Sequence, residues 1–168
     1  MIVWIIGLSG SGKTTLAEKI IDDVRQRGKK IIFLDGDVIR NVWGNDLGHD
    51  LDSRRQNADR ICRLCQFLDH QGFDVICAIL SIFPDSREWC RKNLSRYFEV
   101  FVDAPLEQVI ARDVKGIYSR FNKGEVQDVA GLDLEFPIPQ NPDLWIKNNA
   151  SLADLLKNSK IIANLFDQ

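Results

Sequence analysis

The feature that most constrains this chain is a glycine-rich segment near its N-terminus, residues 7–14, which reads Gly-Leu-Ser-Gly-Ser-Gly-Lys-Thr. A glycine, four residues and then Gly-Lys-Thr is the spacing of a phosphate-binding P-loop. Glycines let the backbone curl so that successive N–H groups point at one anion. We therefore expect Lys13 to reach the β- and γ-phosphates of a bound nucleotide, and the Thr14 hydroxyl to reach Mg²⁺.

The flanking residues decide whether this match is a chance one. The run 2–6 is apolar and uncharged, which predicts a buried parallel strand. Apolar residues then recur at helical spacing, which predicts a helix over about 14–27 that ends at Gly28. A strand, a glycine loop and a helix are the context that a P-loop needs, so this reading is favoured over a glycine-rich turn that binds nothing.

Apolar runs and helical patterns alternate along the rest of the chain. We predict strands at 31–34, 73–80, 97–103 and 144–146, and helices at about 53–71, 84–94, 105–112 and 151–165, with a loop at 41–52. Such alternation predicts a parallel sheet with helices on both faces. The expected fold is therefore an α/β P-loop NTPase of the nucleoside-monophosphate-kinase type, with five strands in a single kinase domain over residues 1–168.

Residues 112–142 interrupt this alternation. The segment has no clear periodicity and contains three prolines. A segment of this length is typically a lid or binding loop when it is ordered. Its basic residues would suit closure over phosphates: Arg112, Lys115, Arg120 and Lys123.

Composition and charge exclude several function classes. The chain has 22 basic and 24 acidic residues and a net charge of −2, which gives no sign of binding to a nucleic-acid polymer or a membrane surface. Its apolar runs are too short to span a bilayer, and it lacks the pattern of a signal peptide, so we expect a cytoplasmic enzyme. The pair Cys62 and Cys65 lies within a helical pattern, which favours reduced, buried thiols over a zinc site.

Polar residues follow the second predicted strand and fill the start of the helix at 53–71. Asp35 and Asp37 lie at a strand end, where open α/β sheets bind ligands, and they could hold metal-bound water or accept a proton. An Asp-Gly-Asp turn without a functional role is the alternative. Arg54, Asn57 and Arg60 are spaced by three and share one helix face. That face is either solvated or lines a phosphate or sulfate pocket.

Taken together, these motifs resemble the adenylylsulfate (APS) kinase family over nearly the whole chain. The resemblance rests on residues 7–15, on 34–37 followed by Ile39 and Arg40, on 47–48 followed by Arg54, Asn57 and Arg60, and on 98–107 and 112–118. It implies phosphoryl transfer from MgATP to the 3′-hydroxyl of a 5′-activated nucleotide. In the family that nucleotide is adenosine 5′-phosphosulfate.

The resemblance also implies roles for individual residues. Asp37 would accept or orient the 3′-hydroxyl proton, Ser81 would position the substrate rather than become phosphorylated, and Lys115 would close with the lid. The expected catalytic residues are therefore Lys13, Asp37 and Ser81. The residues expected at ATP are Gly7, Ser9, Gly10, Ser11, Gly12, Lys13, Thr14, Thr15 and Arg112, with Thr14 and Asp35 at Mg²⁺. The residues expected at the acceptor are Asp35, Asp37, Arg40, His49, Arg54, Asn57, Ser81, Lys115 and Val129, of which Arg40, Arg54 and Asn57 would hold the 5′-phosphosulfate.

The chain departs from the family's pattern at three places. It begins at the first strand, without the N-terminal extension that helps to form substrate and homodimer contacts in the family, although a homodimer stays possible. The family's Ile-Ser-Pro reads Leu-Ser-Ile at residues 80–82. Its two acceptor-site phenylalanines, which clamp adenine, are replaced by His49 and Val129.

Because the aromatic clamp is replaced, the identity of the acceptor base stays open between adenine and cytosine. Stacking of a base on an aromatic side chain is worth roughly 1–3 kcal/mol. A cytidine diphosphoramidate kinase of capsular polysaccharide synthesis is therefore the alternative to an adenylylsulfate kinase, because a smaller pyrimidine needs less aromatic surface. A catalytically silent nucleotide-binding protein is a third reading, which the presence of Lys13, Thr14, Asp35 and Asp37 disfavours.

Overall fold

The computed structural model describes residues 1–167. Five strands are present: β1 Ile2–Ile6, β2 Ile32–Asp35, β3 Val75–Ile79, β4 Tyr97–Asp103 and β5 Leu144–Lys147. They form one sheet in the order β2-β3-β1-β4-β5, and every pairing is parallel. The central strand β1 places Ile6 between Ile79 and Phe101. The predicted five-stranded parallel sheet is confirmed, and all its strands end at one edge.

Helices occupy both faces of this sheet. They are α1 Lys13–Gln26, α2 Gly36–Val42, α3 Leu51–His70, α4 Pro84–Asn93, α5 Leu106–Arg112, α6 Ile117–Asn122, α7 Leu152–Leu156 and α8 Ser159–Ala163, followed by a 3₁₀ turn at Asn164–Asp167. Because successive side chains of a strand point to opposite faces, β1 serves two cores. Val3 and Ile5 lie in a core cluster with residues of α1 and α8, whereas Trp4 lies in a second cluster with residues of α3 and α4.

The segment after β2 is more regular than the sequence suggested. The loop expected over 41–52 is shorter, because α2 continues to Val42 and α3 already starts at Leu51. Asp35 caps α2, since its Oδ1 accepts hydrogen bonds from the backbone N–H of Asp37 at 3.0 Å and of Val38 at 3.4 Å. The Asp-Gly-Asp motif therefore starts a helix while it holds both carboxylates at the sheet edge.

The C-terminal segment also differs from the single helix predicted over 151–165. The expected capping box between Ser151 and Asp154 is present, but α7 ends at Leu156 and α8 starts at Ser159. Asn158 explains the break, because its side-chain amide donates to the carbonyl oxygens of Asp154 at 3.1 Å and Leu155 at 3.0 Å. A local side-chain bond of this kind competes with the helical backbone pattern.

The predicted lid, 112–142, contains the short helix α6 and otherwise turns. The Asp113 carboxylate organises its first turn by accepting bonds from the backbone N–H of Tyr118 and Ser119. The buried Tyr118 then donates its hydroxyl to the Ser9 carbonyl at 3.1 Å, which ties the lid to the glycine-rich loop.

All four cysteines are free and buried. Among residues 1–167, no helix is long and apolar enough to cross a membrane.

Candidate active site at the carboxyl edge of the sheet

The glycine-rich loop leaves β1 and leads directly into α1. Gly12 has a φ of 98°, in the left-handed region that favours glycine, and a Cβ there would come within 2.7 Å of Leu155 Cδ2. The side-chain amide of Asn148 donates to the Ser11 carbonyl at 2.8 Å and fixes the loop from beneath. Because α1 starts at Lys13, its positive end faces the same space. The segment has the shape of an anion cradle.

Lys13 lies inside this cradle and forms no ion pair with any of the residues 1–167 that the structure describes. Its Nζ donates to the Leu8 carbonyl at 2.7 Å. Burial, with a smaller contribution from the nearby Lys115, lowers the pKa of Lys13 to about 8, against the opposing influence of Asp35 and Asp37. A phosphate group in the cradle would supply the missing negative charge.

Thr14 and Asp35 form the predicted metal pair. The Thr14 hydroxyl donates to Asp35 Oδ2 at 2.9 Å, while Oδ1 of the same carboxylate caps α2. Within the described chain, no group of three or more His, Cys, Asp or Glu side chains could hold a metal ion. Mg²⁺ is commonly held by one or two protein oxygens together with waters and substrate phosphates, so the residues present fit this metal.

Asp37 connects the sheet edge to the lid. It is exposed, and its carboxylate forms an ion pair with Lys115 of the lid. The sequence placed these residues 78 positions apart, and the fold brings them into contact. A candidate general base and a lysine of the lid therefore meet in front of the glycine-rich loop.

Two adjoining cavities meet at Asp37. The larger has a volume of about 420 Å³ and is lined by Ser9, Gly10, Gly12, Lys13, Thr14 and Thr15, by Asp35, and by Lys115 and Val129 of the lid. The smaller, of about 100 Å³, is lined by Arg40, Asn57 and Ser81. Asp37, His49 and Arg54 line both cavities. The arrangement provides a phosphate site and a second polar site on either side of one carboxylate.

The smaller cavity, which we call the acceptor pocket, presents two guanidinium groups. Arg40 Nη1 donates to the carbonyls of Leu47 at 3.1 Å and Gly48 at 3.0 Å. Arg54 donates to the carbonyls of His49 at 2.6 Å and Asp128 at 2.9 Å. Backbone carbonyls thus hold both side chains in place and leave their positive charge for a ligand. Such groups are suited to a phosphate or sulfate.

Asn57 completes this pocket. The residue is 9% exposed, and its Oδ1 has no hydrogen-bond partner among the described residues. A buried polar atom without a partner is uncommon and calls for an explanation. A ligand in the acceptor pocket would provide one.

Four of the residues singled out from the sequence do not line either cavity. Arg60 shares a helix face with Arg54 and Asn57, but it bonds to Asp46 at 2.8 Å and does not line either cavity. The predicted anion-binding face is therefore confined to Arg54 and Asn57. Arg112 lies outside the cavity lining, with Nη1 3.4 Å from the Gly10 carbonyl and Nη2 3.0 Å from Gln108 Oε1. Gly7 and the buried Ser11 shape the loop from below rather than line the cleft.

The two residues at the expected base site differ in character. Partial desolvation and the nearby Arg40 and Arg54 lower the pKa of His49, which favours the neutral imidazole. Val129 is buried, and its backbone N–H donates to Asp133 Oδ1 at 2.7 Å. The base site thus offers a neutral ring and an aliphatic wall.

Ser81 adopts an uncommon conformation at the pocket wall. Its φ is 55°, and its Oγ accepts a hydrogen bond from Trp4 Nε1 at 3.1 Å. Sequence reasoning missed the residue that holds its carbonyl, Arg87, and also missed Asn148 beneath the glycine-rich loop. Neither belongs to a recognisable motif, so only the fold identifies them.

Comparisons with known proteins agree with this geometry. The family model for adenylylsulphate kinase matches residues 1–147. A probable adenylyl-sulfate kinase of Pseudomonas aeruginosa is 36% identical over 148 residues, which is 88% of this chain and 69% of the relative. The cytidine diphosphoramidate kinase of Campylobacter jejuni is 34% identical over 148 residues, 88% of this chain and 86% of that protein.

A solved structure is similar over almost the whole length. It is the Mycobacterium tuberculosis APS kinase CysC in complex with AMPPNP and APS, with a TM-score of 0.89, 30% identity and coverage of 99% of this chain and 97% of that one. Together with the family match over most of the chain, this similarity shows that the chain belongs to the adenylylsulphate kinase family.

Proposed function

We propose that this chain is an ATP-dependent kinase that phosphorylates the 3′-hydroxyl of adenosine 5′-phosphosulfate. The observation that carries the proposal is the position of Asp37 between the glycine-rich loop and the acceptor pocket. A phosphoryl donor in one cavity and an acceptor in the other would bring the two reacting groups together at this carboxylate. Family membership and the APS-bound relative support the same activity.

The donor side binds and neutralises the triphosphate. The N–H groups of the glycine-rich loop and the Lys13 ammonium bind the β- and γ-phosphates, and Thr14 and Asp35 would hold Mg²⁺. The metal supplies further positive charge at the phosphates when bound. Positioning and charge neutralisation are the main demands of phosphoryl transfer, so this side meets most of them.

The acceptor side delivers the nucleophile. Arg40, Arg54 and Asn57 bind the 5′-phosphosulfate, which orients the 3′-hydroxyl toward Asp37. The 3′-oxygen attacks the γ-phosphorus, its proton passes to the Asp37 carboxylate, and the β–γ bridging oxygen leaves with ADP. Lys115 already contacts Asp37, so lid closure places a cation where the phosphoryl group crosses. Ser81 positions the acceptor, and no phosphoserine is needed.

Cytidine 5′-diphosphoramidate is the second candidate acceptor. His49 and Val129 occupy the positions at which the family resemblance expects aromatic residues around adenine. A relative at 34% identity is a cytidine diphosphoramidate kinase. The 5′-anion site is compatible with either nucleotide. The choice between them therefore depends on the base wall, which His49 and Val129 form.

The test is coupled ADP release with MgATP and each acceptor in turn. We expect turnover with adenosine 5′-phosphosulfate and loss of turnover when Mg²⁺ is chelated. The preference between the two acceptors should be the same at every ATP concentration. A strong preference for cytidine 5′-diphosphoramidate would replace the proposed acceptor and leave the 3′-kinase reaction. An absence of turnover with both nucleotides, from a protein that binds ATP, would favour a catalytically silent nucleotide-binding protein.

Two further expectations remain predictions, a homodimer and a cytoplasmic location. Sedimentation of the purified chain measures the first, and fractionation of cells that express it measures the second.

A further inference from the structure

The wall of the acceptor pocket contains a residue that its own backbone preferences do not favour. Ser81 follows β3 and has a φ of 55°, in the left-handed region that residues with a side chain seldom adopt. The next residues, Ile82 and Phe83, also line the pocket and are buried. Strained residues persist where the surrounding structure holds them, and they concentrate at ligand sites.

Two buried donors hold Ser81 in this conformation. Arg87 Nη1 donates to the Ser81 carbonyl at 2.6 Å, and Trp4 Nε1 donates to its hydroxyl at 3.1 Å. Trp4 is 0% exposed and Arg87 is 6% exposed. One donor thus fixes the main chain of Ser81, while the other fixes its side chain.

Arg87 is itself fixed by a carboxylate behind it. Its Nε lies 3.7 Å from Glu99 Oε1, and Glu99 is 4% exposed. Tyr97 donates its hydroxyl to Glu99 Oε2 at 2.9 Å, and Asp143 Oδ2 accepts from the Glu99 backbone N–H at 2.7 Å. A series of hydrogen-bonded and ion-paired groups therefore runs from β4, through the buried Glu99–Arg87 pair, to the wall of the acceptor pocket.

We propose that Arg87 is a positioning residue for the acceptor, which holds Ser81 in the left-handed conformation, with Glu99 as its counter-charge. The inference rests on the proposed 3′-kinase function. A buried ion pair is weak support for fold stability, because apolar residues of the same volume often serve as well. This pair has a further consequence, because its cation is bonded to the one residue of the pocket wall that needs restraint.

The test removes both charges together, because a single substitution would leave one charge buried without a partner. In the double variant Arg87→Gln, Glu99→Gln, we expect the KM for the acceptor to rise about tenfold or more, as for loss of a hydrogen bond from a charged group. The KM for ATP should stay within about twofold, because no donor-side contact changes. Arg87→Lys alone keeps a positive charge and a hydrogen-bond donor beside Glu99. We expect its acceptor KM to lie between that of the unaltered chain and that of the double variant.

Arg91→Gln is the matched control. Arg91 lies one turn further along α4, with Nη2 3.9 Å from Glu99 Oε2 and 2.9 Å from Asp143 Oδ2, and it does not bond to Ser81. We expect its acceptor KM to match that of the unaltered chain. A rise equal to that of the double variant would show that the ion-pair network acts through general stability, and would overturn the proposal.

A second background separates positioning from structural support. Glycine adopts the left-handed region without a steric cost, so Ser81→Gly removes the need for restraint. Relative to Ser81→Gly alone, adding Arg87→Gln and Glu99→Gln should then change the acceptor KM only slightly, a non-additivity typical of coupled residues. The same tenfold rise in both backgrounds would contradict the inference.

A crystal structure of the Arg87→Gln, Glu99→Gln variant gives a readout that does not depend on activity. We expect Ser81 to leave the left-handed region, and an unchanged φ would overturn the inference. Absence of turnover by the unaltered chain with both nucleotides would reject the proposed function instead, and this structure would still decide the role of Arg87.

Discussion

The donor and acceptor sides of the site are built in different ways. The proposed donor side is mostly one continuous segment, residues 7–14, whose backbone N–H groups would face the phosphates. The acceptor pocket draws its side chains from several elements: α2, α3, the loop before α3 and the segment after β3. The first arrangement depends mainly on local backbone conformation, supported by the bonds from Asn148 and Tyr118, whereas the second depends on how distant elements pack.

This difference explains why one side resembles the family fully and the other only in part. His49 and Val129 line the larger cavity but lie outside residues 7–14, so we expect a substitution at either position to alter the base wall and leave the glycine-rich loop itself unchanged. Acceptor choice can therefore vary within a family while the donor side stays the same. The predictions below test this separation, starting from the change with the largest expected effect.

Replacing the cradle's only ammonium should disable the donor side. We expect Lys13→Ala to lower kcat/KM on the order of 10³-fold, because one preorganised charge at the transferring phosphoryl group is lost. Coupled ADP release measures the effect. Lys19→Ala is the control on the same helix, since Lys19 pairs with Asp23 and lies outside both cavities. Full turnover by Lys13→Ala would remove the glycine-rich loop from the mechanism.

The junction between the two sides should affect chemistry more than binding. We expect Asp37→Asn to lower kcat by about 10²-fold or more, the usual contribution of a general base, with the KM for ATP within about twofold. Because the substitution also breaks the ion pair with Lys115, Lys115→Met serves as the comparison. If Lys115→Met produced the same loss, the ion pair rather than proton transfer would explain the result. An unchanged kcat in Asp37→Asn would exclude Asp37 as the base.

The sequence predicted the strand, the glycine-rich loop and the helix of the donor side for a physical reason. The spacing of residues 7–14 specifies both the backbone path and the groups it presents, and the apolar run before it specifies the strand. The parallel sheet followed from alternation of strands and helices. What the sequence misjudged were local competitions, such as the Asn158 amide that ends α7 and the Asp35 carboxylate that starts α2.

The acceptor side was predicted as a set of residues but not as an arrangement. Helical spacing grouped Arg60 with Arg54 and Asn57, although Asp46, in the loop before α3, draws Arg60 away. The role of Arg87 could not be predicted from the sequence, because a basic residue in the polar first turns of a helix resembles a surface residue. Its burial depends on Glu99 of β4, which pairs with it only in the folded chain. Such long-range pairings leave no local pattern.

On the acceptor side, loss of one guanidinium should weaken binding without disabling chemistry. We expect Arg54→Gln to raise the acceptor KM about tenfold to a hundredfold, because a charge-assisted bond to the 5′-anion is lost. The KM for ATP should change little. Arg60→Gln is the matched control on the same helix, since Arg60 bonds to Asp46 outside the pocket. Equal effects of the two substitutions would mean that α3 acts only through net positive charge.

The smallest expected effect concerns the base itself. We expect His49→Phe to lower the KM for adenosine 5′-phosphosulfate about fivefold to tenfold, because a phenyl ring restores one stacking partner of the base. His49→Leu fills similar space without a π-face and should give little of this gain. Adenine presents more surface than cytosine, so the gain should be smaller with the cytidine nucleotide. An equal gain with both nucleotides would place residue 49 against the ribose, and base selection would then depend on Val129.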